Sequence, residues 1–240
     1  MTEKVVGILG GMGPEATLDC FAKIIRSTRA EKDQDHLRVI IDSNSKVPDR
    51  TAAILGQGPS PVPALVESAS LLARAGAHFI VMPCASAHAF LDEVRARVDV
   101  PIVSILDVVA AAVVERRPAL RAVGLLGTTG TIAGGLLQRR LASDGIAVLV
   151  PDDAAQARVM AAIYDIKKLS PSRTRRAIAS DLVAVAEALV ARGAQAIVAG
   201  CTEIPLALQP QDLGVPYFDS VLLLARAAVA RAGGRVAEGP

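Results

Sequence analysis

The chain has 240 residues, 52% of them apolar and only 2% aromatic, with a formal net charge of +2. That length builds one large domain or two small ones, and the composition excludes disorder and favours helix–sheet layers packed from Ala, Val, Leu and Ile. A near-neutral chain with almost no rings to stack bases gives no support for a nucleic-acid partner.

In chain order, the opening Met1-Thr2-Glu3-Lys4 lacks the long apolar region and cleavage site of a signal peptide, so a cytoplasmic protein is expected. Residues 5–9 read as a buried strand. They run into Gly10-Gly11-Met12-Gly13-Pro14, a glycine loop that opens a helix over 14–28, with Pro14 suited to the first turn. A strand over 37–41 leads to a loop holding Pro48-Asp49-Arg50-Thr51. A helix over 63–75, a strand over 79–82, a helix over 87–98 and a strand over 102–104 follow. The longest apolar stretch, 102–114, contains Asp107, and no run reaches the ~18 residues needed to span a bilayer, so no membrane partner is expected. Strands over 122–126, 147–150, 196–199 and 216–219 and a helix over 173–192 complete the pattern. The arginine pairs Arg116/Arg117, Arg139/Arg140 and Arg175/Arg176 read as solvated helix faces. Alternating strands and helices predict an α/β fold with mainly parallel sheets flanked by helices.

The chain also repeats itself. Gly7-Ile8-Leu9-Gly10 matches Gly124-Leu125-Leu126-Gly127, Gly76-Ala77 matches Gly193-Ala194, and Cys84 matches Cys201, all at an offset of 117 residues. Val100-Pro101 matches Val215-Pro216 at 115. Three landmarks at one offset imply two α/β domains related by pseudo-twofold symmetry, each giving one glycine loop and one cysteine to a cleft between them. The tail is expected to complete the first half, giving domains of 1–104 plus 215–240 and of 105–214.

The three cysteines show neither a disulfide framework nor metal-ligand spacing. Cys20, inside a predicted helix, reads as packing. Cys84 and Cys201 each follow a strand and precede what reads as a helix start. There, exposed amides favour a thiolate and can hold a substrate carboxylate. One thiolate and one thiol across a pocket form the base and acid needed to invert a stereocentre. The loops Gly10–Gly13 and Gly127-Thr128-Thr129-Gly130 are read as anion cradles for a small carboxylate, since neither carries a full nucleotide-binding pattern. Arg50 is a candidate carboxylate anchor oriented by Asp49. His88, four residues after Cys84, either tunes the thiol or is a structural imidazole.

These segments resemble the aspartate/glutamate racemase family over nearly the whole chain: residues 7–17 (GILGGMGPEAT), 47–51 (VPDRT), 82–90 (MPCASAHAF), 124–132 (GLLGTTGTI), Ile163-Tyr164 and 200–206 (GCTEIPL). The resemblance implies two α/β domains, an amino-acid or dicarboxylate substrate, no pyridoxal phosphate or other cofactor, and a homodimer. It makes Cys84 and Cys201 the proton donor–acceptor pair and Arg50 the ligand of a side-chain carboxylate. It makes Lys167 or Lys168 a second ligand, with Lys167 slightly favoured. Met12, Ser86, Thr128, Thr129, Thr202 and Glu203 fall in the matching binding segments. Ala85 stands where the family usually has an Asn that holds the amino-acid end of the substrate. Three functions are therefore expected in this order: racemisation of aspartate or glutamate, action of a related racemase, isomerase or decarboxylase on another small acid, and non-catalytic binding of a small molecule.

Overall fold

The computed structural model describes residues 3–116, 118–168 and 173–237. Met1, Thr2, Arg117 of the expected arginine pairs and residues 238–240 of the expected tail lie outside them.

Two four-stranded sheets, both wholly parallel, share one strand order. The first runs β2 (Val39–Ser43), β1 (Val6–Gly10), β3 (Phe79–Val81), β4 (Ile102–Val103). The second runs β6 (Ala147–Leu149), β5 (Ala122–Leu126), β7 (Ile197–Ala199), β8 (Tyr217–Asp219). The registers correspond as well: Ile8 lies opposite Ile41 and Val81, and Gly124 opposite Leu149 and Ile197. β1, β3 and β7 are buried along their whole length, as strands covered by helices on both faces must be. The predicted α/β architecture with two related parallel sheets is therefore observed.

Helix starts follow local chemistry. In α1 (Pro14–Ser27) Pro14 occupies the first turn, where a missing N–H costs nothing. Side-chain caps from Ser104, Asp152, Thr174 and Asp219 accept backbone N–H groups at the starts of α5 (Ile105–Glu115), α8 (Asp153–Lys167), α9 (Arg175–Ala191) and α10 (Ser220–Ala232). The expected helix over 87–98 is shorter and tighter. A 3₁₀ turn (Ser86–Phe90) runs into the five-residue α4 (Leu91–Arg95).

The boundary expected at 215 is corrected by the strand pairing. Tyr217–Asp219 hydrogen-bonds to β7 and is the fourth strand of the second sheet, just as Ile102–Val103 is the fourth strand of the first. Only at Ser220 does the chain cross over, and α10 then packs on α1. Reciprocally, α5 leaves the first sheet and packs on α7 (Leu136–Ala142) of the second half and on α10. The exchange joins the halves: Ile8 and Ile24, Val109, Leu125, and Leu224 lie in one continuous apolar cluster. Each half keeps a further apolar layer on its outer face.

Candidate active site

At the carboxyl ends of both sheets lies a cleft lined by residues of both halves. The first half supplies Met12 from the loop after β1, Arg50 from the start of α2 (Arg50–Ile54), and Cys84, Ala85 and Ser86 from the turn after β3. The second supplies Thr128 from the loop after β5, Lys167 from the end of α8, and Cys201, Thr202 and Glu203 from the turn after β7. The halves approach closely here because Gly130 has no side chain: a Cβ would stand 2.9 Å from the Thr51 Cα. Parallel strands place ligands at this end because their carboxyl-terminal loops gather there.

Both cysteines are buried, at 4% and 6% exposure, and both are free thiols. Their surroundings differ. Cys84 Sγ lies 3.5 Å from the Ser86 hydroxyl. Cys201 Sγ donates to Glu203 Oε2 at 3.0 Å. Burial, reinforced by the charge of Glu203 and opposed by Lys167, pushes the Cys201 thiol well above its ordinary value. The expected helix starts are only 3₁₀ turns, of five residues after Cys84 and three after Cys201. Such turns carry little aligned dipole, so burial and, after it, the acceptor carboxylate keep Cys201 as the thiol.

Glu203, 2% exposed, is the hub of the second half's contribution. Its Oε1 accepts from Lys167 Nζ at 2.7 Å and from the Gly13 amide at 3.0 Å. Its Oε2 accepts from Cys201 and, at 3.4 Å, from the Thr202 hydroxyl. Lys167 also donates to the Met12 carbonyl at 3.3 Å. Burial works against the charge of Lys167, yet the neighbouring Glu203 and Cys201 hold its ammonium above the usual lysine value. Arg50 is held by three backbone carbonyls: Pro48 at 2.9 Å, Val47 at 3.2 Å and Met12 at 3.2 Å. Its buried Nε has no partner, and among the described residues no carboxylate pairs with the guanidinium. Asp49 does not orient it as expected. Its carboxylate caps α2 by accepting from the Ala52 amide at 2.7 Å.

Part of the expected anion cradles is taken up within the fold. The Gly11 amide donates to Thr17 Oγ1 at 2.8 Å and the Gly13 amide to Glu203. In the second loop the Thr131 amide is capped by Thr128 Oγ1, and the Thr129 amide meets Met160 Sδ. These amides have partners within the fold. Thr129 does not line the cleft; its hydroxyl accepts from Gln156 at 3.3 Å. Nor does Lys168, half-exposed and paired with Asp165 at 2.9 Å. The other expected residues do line the cleft. Asp49, Thr51, Thr131, Ile163, Tyr164 and Gly200 join them. All six stand in the segments that carried the resemblance; Asp49 was expected only as the partner of Arg50, and the residue types of the other five gave no chemical reason to select them.

His88 is structural. Its Nδ1 contacts the Cys84 carbonyl at 2.9 Å and its Nε2 accepts from the Ile105 amide at 3.0 Å, so Nδ1 carries the proton. Burial pushes its pKa down to about 4, keeping it neutral. It therefore fixes the backbone of Cys84 against the start of α5. Cys20, wholly buried in α1, is pushed up to about 12 by burial and reads as an inert packing group. Among the described residues no cluster of His, Cys, Asp and Glu suits a metal ion, and no helix is long and apolar enough to cross a membrane.

Residues 9–228 match the family model described as Asp/Glu/hydantoin racemase. The chain is 28% identical over 237 residues to the broad-specificity amino-acid racemase RacX of Bacillus subtilis, spanning 94% of this chain and 96% of that protein. Its fold superimposes on the aspartate racemase of Picrophilus torridus with a TM-score of 0.86 at 29% identity, covering 98% of this chain and 96% of that one. An aspartate racemase homologue from Pyrococcus horikoshii gives 0.75 at 28% identity, over 96% and 99% of the two chains.

Proposed function

The chain belongs to the Asp/Glu/hydantoin racemase family and is an amino-acid racemase, and from that premise we propose that it racemises aspartate or glutamate by proton transfer between Cys84 and Cys201. The observation that carries this reading is the pair of buried thiols, one from each half, at equivalent positions in a single cleft. Arg50, cationic and without a carboxylate partner, binds the side-chain carboxylate, while Lys167 lends its charge from beside Glu203. Ser86 and Thr128 hold the amino-acid end.

Cys201, kept protonated by burial and by Glu203, serves as the acid, and Cys84 serves as the base in the thiolate form that the reaction requires. Cys84 removes the α-proton from one face while Cys201 delivers its proton to the other. This leaves Cys84 as thiol and Cys201 as thiolate, the state that converts the opposite enantiomer. The Lys167 ammonium, held on the other oxygen of Glu203, offsets the new charge on Cys201. The same reading makes the protein a cytoplasmic homodimer that works without pyridoxal phosphate; light scattering on the eluting protein checks the dimer.

Incubation with L-aspartate or L-glutamate in deuterated water should place deuterium at Cα, and Cys84→Ser or Cys201→Ser should abolish the exchange. Well-folded enzyme that exchanges neither acid would sink the substrate assignment. Ala85 favours a second reading, in which a related isomerase or decarboxylase chemistry acts on another small acid. A screen of dicarboxylates separates the two.

A further inference from the structure

The repeat that pairs the thiols extends to their neighbours. Ser86 and Glu203 each stand two residues beyond a thiol and so share its offset of 117 residues, and the cations Arg50 and Lys167 are separated by the same number. Each half thus brings to the cleft one cation, one thiol and one side chain two places after the thiol. The first two are chemically alike in both halves; the third is not. Glu203 is an anion that accepts from Cys201 Sγ at 3.0 Å and from Lys167 Nζ at 2.7 Å. Ser86 is a neutral hydroxyl 3.5 Å from Cys84 Sγ, and Arg50 has no ion-pair partner among the described residues. We propose that this one unlike position gives the thiol pair its direction: in the enzyme that awaits substrate, Ser86 donates to Cys84 and keeps it the base, while Glu203 keeps Cys201 the acid. The inference rests on the two-thiol racemase reading.

Two observations support it. The first is the hydrogen-bonding capacity of the pair. Ser86 and Cys84 are 7% and 4% exposed, so water competes little for their contact, and among the described residues the Ser86 hydroxyl makes no other hydrogen bond. A thiol is a weak donor and a weak acceptor, whereas a thiolate only accepts, and a bond to a charged acceptor is the stronger one. The contact is therefore worth most when Cys84 is the thiolate. The Ser86 proton stays on its oxygen throughout, and the lone pairs of that oxygen remain free to accept from the substrate ammonium. The second observation is charge. The Lys167 ammonium interacts with the charge of either thiol, so a thiolate in either half meets a cation. Only Cys201 also faces a carboxylate, and a like charge beside a thiolate disfavours it. A carboxylate at position 86 would give both thiols the same anionic neighbour, both would hold their protons, and the cleft would lack a base.

The test is alkylation by iodoacetamide, read at each cysteine by peptide mass spectrometry in the parent enzyme, Ser86→Ala, Ser86→Thr and Ser86→Glu. Each thiol's rate at neutral pH is divided by its own rate at high pH, so that differences in access cancel and the ratio follows the thiolate fraction. In the parent the ratio for Cys84 should exceed that for Cys201 at least tenfold, with Cys20 unlabelled at neutral pH. Ser86→Ala should lower the Cys84 ratio about tenfold, Ser86→Thr should restore it, and Ser86→Glu should lower it about a hundredfold. Equal ratios at the two thiols of the parent, or a larger one at Cys201, overturn the inference. So does a Cys84 ratio that is unchanged or higher in Ser86→Ala, because the hydroxyl then does not donate to the thiolate. A loss of rate in Ser86→Ala that is the same at neutral and high pH marks a purely structural effect and also overturns it. These three results leave the racemase reading standing, whereas undiminished deuterium exchange at Cα of L-aspartate or L-glutamate by Cys84→Ser overturns the two-thiol reading and the inference together.

Discussion

Replacing Glu203 by Gln keeps the shape of the side chain and removes its charge. Four donors converge on the carboxylate: Lys167, the Gly13 amide, the Cys201 thiol and the Thr202 hydroxyl. A Gln can accept at one end only, so either the Lys167 side or the Cys201 side faces an NH₂ group. The charge-assisted bond to Lys167 is worth ~2 kcal/mol and is lost or weakened, so unfolding free energy should drop by about that amount. The effect on Cys201 is more diagnostic. The Lys167 ammonium and the Gly13 amide hold the Gln oxygen on their side, so the Cys201 thiol faces the NH₂ and loses both the acceptor and the neighbouring negative charge, leaving burial as the main cause of its raised value. An interaction of ~1.5–3 kcal/mol corresponds to a fall of roughly one to two pKa units. The assay is ultraviolet thiolate titration in a Cys84→Ser background. There Cys20, pushed up to about 12, stays silent, so the signal reports Cys201. In the Cys84-containing enzyme, the alkaline limb of kcat/KM should move down by the same amount. A titration midpoint that stays in place or rises would refute the idea that Glu203 holds the proton on Cys201.

Three further outcomes follow from the same geometry. Lys167→Met should raise KM and lower kcat at least tenfold, because it leaves the buried Glu203 without its cation, whereas the exposed Lys168→Met should change either constant by less than about twofold. Arg50→Gln should raise KM by about ten- to a hundredfold with a smaller change in kcat, the signature of lost carboxylate binding, measured by steady-state kinetics. His88 is depressed from 6.5 to about 4 in the folded state, so its contribution is fully present above pH 6.5 and is lost as pH falls toward 4. The full loss is roughly 3 kcal/mol, and His88→Gln should flatten that part of the pH dependence in urea unfolding.

The elements that sequence reading located are those with a single physical cause. Parallel strands covered on both faces are continuous apolar runs, so β1, β3, β5 and β7 were legible almost to the residue. Both catalytic candidates emerged from the repeat, because duplicated halves keep equivalent positions at equivalent strand ends. The choice between Lys167 and Lys168 was legible in principle as well. Ile163, Tyr164 and Lys167 fall at i, i+1 and i+4 along α8 and share its cleft-facing side, while Lys168 turns away to Asp165. What stayed hidden depended on tertiary approach. The expected bounds already sent α5 to the second half and α10 back to the first; the pairing of Tyr217–Asp219 with β7, inside the second sheet, is what no local pattern records.

The glycine loops carry the same lesson furthest. A glycine-rich turn between strand and helix advertises free amides, and from sequence an anion is the natural partner. Here the anion is internal: the Gly13 amide binds Glu203, a residue 190 positions away. That bond spans the cleft from the first half to the second, as do the Lys167 bond to the Met12 carbonyl and the close approach of Gly130 to Thr51. The carboxylate that draws the first glycine loop onto the second half is also the one that accepts the Cys201 proton. Closure of the cleft and protonation of Cys201 are therefore coupled through one side chain. A separation of the halves that broke the Gly13 contact would remove a donor from Glu203, while Lys167, on the same half, stays paired with it, and would strengthen its hold on that proton. The acid is released most readily when the cleft is closed.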